Sequence, residues 1–499
     1  MTIKRTLYNL TQPGENLSQR AVKSGVWVFL LRVVQQLFSL ARLVILARIL
    51  APHDFGLMGI ALLSMATLET FSQTGFQQAL IQKKHDIKPY LDSAWTFLIM
   101  RGIILFAILY LIAPYAATFF DAPEAKPIIQ VIGLSVIFQA FTNIGVIHFQ
   151  KELEFNKQFV YQLSGTLIDF VVAIVAVLIL GNVWALVFGL LAGKAAMLVV
   201  SYLIHPYRPH LRFDIGKAKE LFGYGKWILG SSVLVFLVTQ GDDILVGKLV
   251  GVTALGFYQM AYVISNLPAT QITHVISQIT FPLYSKIQDD IPVLRSTYLK
   301  ILQLTAFISI PLACFIFVLS SDFTMIFLGE KWMPMVPAMQ LLAFAGMVRS
   351  IAATGGPIFH AVGKPKIDTM MQIIRLFILA ILIYPLTINW GIFGASVAVF
   401  LSTFISSFGF ILAVMKIIKC RLNDYLKIVL YPLINGAIVI LLIQTLKDIM
   451  GISIWSFVVF SCVGIFGYII MAYLIDKIFN YGIQSNIGDY INLLRNSKI

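Results

Sequence analysis

The sequence predicts an all-α polytopic membrane protein with about fourteen transmembrane helices, arranged as two six-helix lobes around a central cavity plus two C-terminal helices. Three observations support this fold class: the composition, the spacing of the apolar stretches and an internal repeat. Hydrophobic residues make up 59% of the 499 residues and charged residues 12%, and the mean hydropathy is +0.87. A soluble chain carries about twice that charged fraction. The composition therefore excludes a soluble enzyme, a disordered protein and a nucleic-acid-binding protein.

Fourteen apolar stretches are each long enough to cross a hydrocarbon core of about 30 Å, which takes roughly 20 residues of α-helix. The alternation of apolar and polar residues over about ten positions that is typical of a membrane β-barrel does not occur in the sequence, which favours a helical bundle. The predicted spans are 25–50, 55–80, 92–117, 127–150, 158–180, 183–205, 223–248, 255–280, 298–320, 332–360, 367–388, 391–416, 425–446 and 452–476.

Basic residues are enriched in every second connection between the predicted spans. The N-terminal segment 1–24 carries four of them, and the intervening connections hold few. By the positive-inside rule, both termini lie in the cytoplasm. The net charge of +14 is then explained as loop charge that faces anionic lipid.

An internal repeat relates the two halves of the chain at a fixed offset of 200 residues. The copies begin at the first and seventh helices, so they share one orientation and indicate a parallel repeat. The matched positions are Gly25 with Gly225, Trp27 with Trp227, Gly56 with Gly256, and Ala61 with Ala261. The predicted organisation is an N-terminal segment 1–24, an N-lobe 25–205, a cytoplasmic linker 206–222, a C-lobe 223–416, two further helices 417–477 and a cytoplasmic tail 478–499.

Polar side chains within the spans are candidate substrate-pathway residues, because polar groups at mid-bilayer are costly. On the first helix, Arg32, Gln35, Gln36, Ser39 and Arg42 fall within about a third of a turn of one another. We expect this stripe to face a water-filled lumen. Its arginines suit an anionic substrate, since the planar guanidinium fork matches phosphate oxygens.

Basic side chains outnumber acidic ones inside the spans, which favours an anionic ligand and adds Arg349 to the substrate-binding set. Three carboxylates, Asp243, Glu69 and Asp169, are candidate sites for a coupling cation. Pro268 is a candidate helix kink, because proline removes a backbone hydrogen bond. The basic members are Arg32, Arg42, Arg101, Lys194, Lys226, Arg349 and Arg375, and the acidic members are Glu69, Asp169, Asp242 and Asp243.

Each intramembrane charge also has an alternative, structural interpretation. Lys226 and Arg375 lie near the ends of predicted spans, from which long basic side chains can snorkel towards water. Other charges can pair as contacts between helices. The pairings considered are Arg101 or Lys194 with Asp169 or Glu69, and Asp242 with its repeat equivalent Arg42.

The sequence holds no pattern expected of a catalytic or metal site. Its three cysteines, Cys314, Cys420 and Cys462, lack metal-ligand spacing. The longest outward connections, around 118–126 and 321–331, are too short to fold as a separate domain. We therefore expect no cofactor, no metal and no enzymatic activity.

Two series of residues and one charged loop carry a resemblance to a known family. They are Asp243, Gly247, Gly251, Gly256, Tyr258, Ala261 and Pro268 in the second lobe, Arg48, Pro52, Phe55, Gly56 and Ala61 in the first, and the segment FQKELEFNKQF at 149–159. The chain resembles Wzx-type oligosaccharide flippases of the multidrug/oligosaccharidyl-lipid/polysaccharide exporter superfamily. The charged loop is similar to that of the branch that handles colanic-acid and teichuronic-acid polymers.

This resemblance implies a flippase that moves an undecaprenyl-pyrophosphate-linked oligosaccharide across the bacterial cytoplasmic (inner) membrane by ion-coupled alternating access. Such a protein serves lipopolysaccharide or exopolysaccharide biosynthesis. The resemblance implies a lumen role for Arg32, Arg42 and Asp243. The expected partners are the lipid-linked substrate, membrane lipid and the polysaccharide polymerase and chain-length machinery. We expect a monomer that binds no nucleic acid.

Two alternative functions stay open at this point. A multidrug/cation antiporter has the same fold, but acidic residues should dominate its lumen to receive cationic drugs. A membrane-embedded polysaccharide polymerase or ligase should carry a larger outer loop with catalytic carboxylates or histidines. The basic interior disfavours the first alternative, and the short outward connections disfavour the second.

Overall fold

The computed structural model describes residues 17–83, 87–152 and 154–479, and no strand occurs among them. The helices of the first half are α1 (Leu17–Ile49), α2 (Pro52–Phe71), α3 (Phe76–Gln82), α4 (Lys88–Phe119), α5 (Ala125–Ile132), α6 (Leu134–Phe141), α7 (Ile147–Lys151), α8 (Phe155–Leu180) and α9 (Trp184–Ile204). Those of the second half are α10 (Ile215–Leu249), α11 (Val252–Ile287), α12 (Ile291–Phe323), α13 (Val336–Ala353), α14 (Gly356–Ala361), α15 (Pro365–Ile418), α16 (Leu422–Ile449) and α17 (Ile454–Phe479). Most of the predicted segment 1–24 and of the tail 478–499 lies outside the described residues.

The described helices confirm an all-α protein with multiple membrane spans. Ten of them are long and apolar enough to cross a membrane, or eleven if Ala125–Phe141 and Ile144–Lys151, which meet at a bend of 69°, form one span. In addition, α10 and α11 overlap the predicted spans 223–248 and 255–280. The count of fourteen stays a prediction.

Three predicted spans are interrupted in the structure, and the one predicted at 332–360 is divided between α13 and α14. The span predicted at 55–80 is divided between α2 and α3, because Gly75 adopts a φ of 65°, a left-handed conformation that glycine reaches without a Cβ clash. The span predicted at 127–150 breaks after α6, where the Asn143 side chain accepts a hydrogen bond from the Gly145 amide at 2.9 Å. Mean hydropathy over a whole span misses these breaks, because the few polar residues beside them, such as Ser72, Gln73 and Thr142, are averaged with apolar neighbours.

Two other predicted spans, 367–388 and 391–416, join in the 54-residue element α15. Gly391 interrupts it with φ 57° and ψ −138°. This backbone conformation lies outside the helical region and is accessible to glycine. α15 therefore consists of two helical segments that meet directly, without an intervening loop.

The chain divides into two compact units. The first unit extends to Gln240 and includes Gly251–Gly256, and the second comprises Gly241–Val250 and the residues from Phe257 onward. α10 and α11 each contribute to both units. The lobe boundaries derived from the sequence stay a prediction.

Within the first unit, α8 packs closely on α9 through small residues. A Cβ atom on Gly193 would lie 2.8 Å from the carbonyl oxygen of Gly165, so the two backbones approach as only small residues allow. A second cluster buries Phe76, Leu91 and Trp95 where α3 meets α4. These contacts fix the helices that carry the polar residues of this unit.

Within the second unit, one core cluster is formed by residues of the helices from α11 to α16, with Tyr298, Phe359 and Val414 almost fully buried. α16 and α17 pack on α12, where the buried carboxylate of Asp322 pairs with the Lys447 ammonium. The two C-terminal helices are therefore fixed to the second unit by both apolar packing and an ion pair.

Candidate polar sites within the two units

Arg349 on α13 is anchored to α11 by two side-chain hydrogen bonds. Its Nη2 donates to Oδ1 of Asn266 at 2.6 Å, and its Nη1 donates to the Tyr262 hydroxyl at 3.1 Å. Asn266 is buried and Arg349 is half-buried. The guanidinium group is thus held in position by two uncharged partners. Neither partner neutralises its positive charge.

Arg375 on α15 belongs to the same charged group and is 9% exposed. Its guanidinium interacts electrostatically with Asp242, Tyr262 and Arg349. The alternative that Arg375 snorkels from a span end is wrong, because the side chain is buried inside the second unit. No pattern in the sequence indicates this burial, because it depends on how α15 packs against the neighbouring helices of the second unit.

The adjacent carboxylates Asp242 and Asp243 on α10 have different surroundings. Asp242 is 2% exposed and accepts a hydrogen bond from the Tyr258 hydroxyl at 2.7 Å. Asp243 interacts with Gln259, and its Oδ1 atom is buried without a hydrogen-bond partner. A buried carboxylate oxygen without a donor favours a proton or a small cation.

A cavity of about 650 Å³ in the second unit is lined by Arg349 and Arg375. His360 and Asp368 also line it, and their side chains lie 3.5 Å apart. The remaining polar lining residues are Thr273, Gln372, Thr403, Ser406 and Ser407. With two guanidinium groups and hydroxyl donors on its wall, this cavity is suited to bind a multivalent anion.

In the first unit, the predicted polar stripe of α1 contacts α8. Arg42 Nη2 lies 3.0 Å from Asp169 Oδ1, and both side chains are about one-quarter exposed. Gln35 donates to the Thr166 hydroxyl at 3.2 Å. Asp169 is therefore paired with Arg42, and the alternatives that pair Asp169 with Arg101 or Lys194 are wrong. The alternative that pairs Arg42 with Asp242 stays a prediction.

Arg101 on α4 is bound to the C-terminal end of α2. Its Nε and Nη2 donate to the Ser72 carbonyl and hydroxyl oxygens and to the Glu69 carbonyl at 2.8–3.2 Å. It also interacts electrostatically with the Glu69 carboxylate. This arrangement agrees with the helix–helix interpretation of Arg101, since cations are stabilised at a helix C-terminus.

The remaining predicted site residues lie on the expected helices. Arg32 and Gln36 are half-buried on α1, and Pro268 is half-buried inside α11. Their roles in binding and in kinking stay predictions. Lys194 on α9 lies near Gln139, with its Nζ 3.4 Å from the amide oxygen.

The sequence of the chain matches the model of the polysaccharide biosynthesis protein family over residues 45–337, more than half of its length. The chain belongs to this family. It is 26% identical over 373 residues to the lipopolysaccharide biosynthesis protein WzxC of Escherichia coli strain K12, which covers 73% of this chain and 74% of that protein. It is 27% identical over 292 residues to the teichuronic acid biosynthesis protein TuaB of Bacillus subtilis strain 168, with 58% and 60% covered.

A solved structure of the lipid II flippase MurJ, in an inward closed conformation, has the same fold. The alignment has a TM-score of 0.73 at 16% sequence identity and covers 91% of this chain and 99% of that chain. The resemblance to Wzx-type flippases predicted from the sequence is therefore confirmed at the level of family and fold.

Proposed function

We propose that this polysaccharide biosynthesis protein is a flippase that moves an undecaprenyl-pyrophosphate-linked oligosaccharide from the cytoplasmic to the outer leaflet of the bacterial cytoplasmic membrane. The single observation that carries the proposal is the cavity lined by Arg349 and Arg375 within the membrane-spanning helices. The names of WzxC and TuaB, which are lipopolysaccharide and teichuronic acid biosynthesis proteins, support a glycan substrate. The fold shared with MurJ supports lipid flipping.

In this proposal, the two guanidinium groups bind the pyrophosphate of the carrier lipid. Moving an ionised phosphate into hydrocarbon without partners is prohibitively costly, and each unsatisfied polar group adds several kcal/mol. Bidentate hydrogen bonds from arginine replace the lost hydration. The polyprenyl chain stays in lipid while the head group crosses, and alternating access moves the head group between the leaflets.

The other predicted site residues divide into two groups. Arg42 and Gln35 hold α1 against α8 and act as positioning residues, whereas Arg32 and Gln36 contribute to the substrate path. Among the candidate coupling carboxylates, Asp243 has the strongest support, because one of its oxygens is buried without a partner. Asp169 and Glu69 face Arg42 and Arg101, whose positive charges disfavour binding of a second cation.

The main rival function is a multidrug/cation antiporter. Cation–drug binding needs an acidic lumen, and the paired arginines of the second-unit cavity disfavour it. A polysaccharide polymerase or ligase is the weaker alternative, since the family and the fold both point to transport.

Ligand binding separates these functions. The purified protein should bind undecaprenyl pyrophosphate, and the Arg349→Gln variant should bind it about ten- to a hundredfold more weakly, the loss expected for one charge-assisted hydrogen-bonding group. Arg295→Gln is the matched control, because Arg295 contacts the Lys419 carbonyl outside the cavity. Binding of the cationic dye ethidium in preference to the pyrophosphate lipid would contradict the proposal and favour the antiporter.

A further inference from the structure

The first unit contains a groove whose wall is rich in glutamine side chains. Two adjoining cavities, of about 290 Å³ and about 230 Å³, share the lining residues Gln77, Leu98, Gln139 and Ala140. Together they reach the size of ordinary ligand pockets, about 300–1,000 Å³. The glutamines that line the groove are Gln73, Gln77, Gln139, Gln150, Gln158 and Gln162.

These amides come from separate parts of the first unit and converge only in the fold. Gln73 follows α2, and Gln77 lies at the start of α3. Gln139 and Gln150 lie near the ends of α6 and α7, and Gln158 and Gln162 lie on the first turns of α8. By the predicted orientation, these ends lie towards the cytoplasm. The groove is therefore placed where a head group would arrive before translocation.

The charged residues of this groove are largely engaged with protein atoms. Arg101 donates to Ser72 and to the Glu69 carbonyl, and Lys194 lies within reach of the Gln139 amide oxygen at 3.4 Å. In contrast, Oε1 of Gln158 is buried without a hydrogen-bond partner. The wall therefore offers a neutral amide oxygen to a ligand, in addition to the Glu69 carboxylate, whose charge is offset by Arg101.

Amide side chains match hydroxyl-rich, uncharged ligands. A carboxamide offers two donors and an acceptor, and each hydroxyl group of a sugar is both a donor and an acceptor. Tyr161 adds aromatic surface to the same wall; such surfaces cover the apolar parts of a ligand while polar groups fix its orientation. By comparison, the second-unit cavity carries two arginines, which suit phosphate.

We propose that the glutamine groove of the first unit is a saccharide-binding subsite, which receives neutral sugar residues of the glycan. This inference rests on the proposed function, because it assigns the sugar moiety of that substrate to a site separate from the pyrophosphate. Gln139 and Gln158 provide hydrogen bonds to sugar hydroxyls, and the groove recognises the glycan rather than the lipid.

Saturation-transfer NMR on the full-length protein in lipid nanodiscs tests the subsite, with methyl β-cellobioside and methyl β-lactoside as probes. Maltoside detergents are avoided, because their disaccharide head groups would compete for the groove. The protein should bind at least one of these glycosides. The double variant Gln139→Met/Gln158→Met, which keeps chain length but removes both amides, should bind it about tenfold more weakly, the loss expected for two neutral hydrogen bonds.

Two controls keep the result interpretable. Gln130→Met removes a glutamine of the same unit that contacts the Tyr110 carbonyl outside the groove, and it should leave glycoside binding unchanged. Pyrophosphate binding to the double variant should also be unchanged. If the double variant also loses pyrophosphate binding, the single variant Gln158→Glu is tested in its place, because it keeps a polar side chain of equal length. Gln158→Glu should weaken glycoside binding and leave pyrophosphate binding unchanged.

Equal glycoside affinity of the wild-type protein and the glutamine variants would overturn the subsite. Failure of both glycosides to bind the wild-type protein, with pyrophosphate still bound, would also overturn it while leaving the proposed function intact. Absence of pyrophosphate binding would instead count against the proposed function.

Discussion

Gly56 and Gly256, which are equivalent in the internal repeat, occupy reciprocal positions where α2 crosses the start of α11. A Cβ atom on Gly56 would overlap the carbonyl oxygen of Val252, and one on Gly256 would overlap the carbonyl oxygen of Pro52. Pro52 and Val252 are themselves 200 residues apart. Each glycine therefore contacts the first residue of the other helix, so the contacts at the crossing follow the same 200-residue offset as the sequence.

Substitution of either crossing glycine should destabilise the protein. Gly56→Ala and Gly256→Ala force two backbones apart, and overpacking of this kind costs about 1–3 kcal/mol. Thermal unfolding in detergent should show a lower midpoint for both variants. Gly230→Ala is the control, since a Cβ there meets no atom within 4 Å and should leave the midpoint unchanged or raise it. Equal midpoints for all three variants would contradict the close crossing.

The Arg42–Asp169 pair should act as a stability element of the first unit. Arg42→Gln and Asp169→Asn each leave a partly buried charge without its partner, which should lower the free energy of unfolding by about 1–3 kcal/mol. The double variant should lose less than the sum of the two single losses. Additive losses in chemical denaturation would show that the two residues act independently, which would contradict the pairing.

The Lys447–Asp322 pair should hold the C-terminal helices on α12. Asp322 is 2% exposed, so Lys447→Met leaves a buried carboxylate unpaired, at a cost of about 3–5 kcal/mol. Limited proteolysis should then cut α16 and α17 from the folded protein. Lys126→Met, at an exposed lysine, is the matched control and should resist proteolysis like the wild type. Resistance of Lys447→Met would contradict the role of the pair.

Cys420 provides a test of the predicted orientation. It lies between α15 and α16, where burial, followed by the nearby Asp424 carboxylate, raises the pKa of the thiol. Only the thiolate reacts, so labelling should be slow at neutral pH and accelerate about tenfold per pH unit below that pKa. A membrane-impermeant maleimide should label Cys420 in inside-out vesicles and spare it in right-side-out vesicles.

Cys420→Ser is the control for labelling of the other two cysteines, and it should abolish the sidedness of the signal. If right-side-out vesicles of the wild-type protein are labelled and those of Cys420→Ser are not, the connection between α15 and α16 lies outside the cytoplasm. The predicted orientation of both termini would then be wrong.

The sequence was sufficient for the helical class and the family, because composition, hydropathy and the quoted motif residues can be recognised without knowledge of packing. The internal repeat stays a prediction, which the reciprocal contacts of Gly56 and Gly256 support. The helix break at Gly75 was missed, since the sequence alone does not reveal the φ angle of a glycine. The break at Gly391 agrees with the boundary predicted between the spans 367–388 and 391–416.

Charge partners were the least predictable part of the site. Arg42 and Asp169 are separated by 127 residues, and which carboxylate faces a given arginine depends on how each helix is rotated about its axis. The burial of Arg375 and the glutamine groove arise in the same way, from side chains of several helices that become neighbours only after packing. Residue type and predicted depth in the membrane were therefore enough to identify candidate site residues. Their charge partners could be assigned only from the structure.

Leaflet transfer of the lipid-linked substrate tests the central claim most directly. Proteoliposomes containing a fluorescently labelled undecaprenyl-pyrophosphate oligosaccharide are treated with membrane-impermeant dithionite, which bleaches only the label in the outer leaflet. The wild-type protein and Arg295→Gln should make the inner-leaflet label accessible, and Arg349→Gln should slow this transfer about tenfold or more. Transfer at the wild-type rate by Arg349→Gln would contradict the role of the second-unit cavity, and no transfer by the wild-type protein would contradict the proposed flippase function.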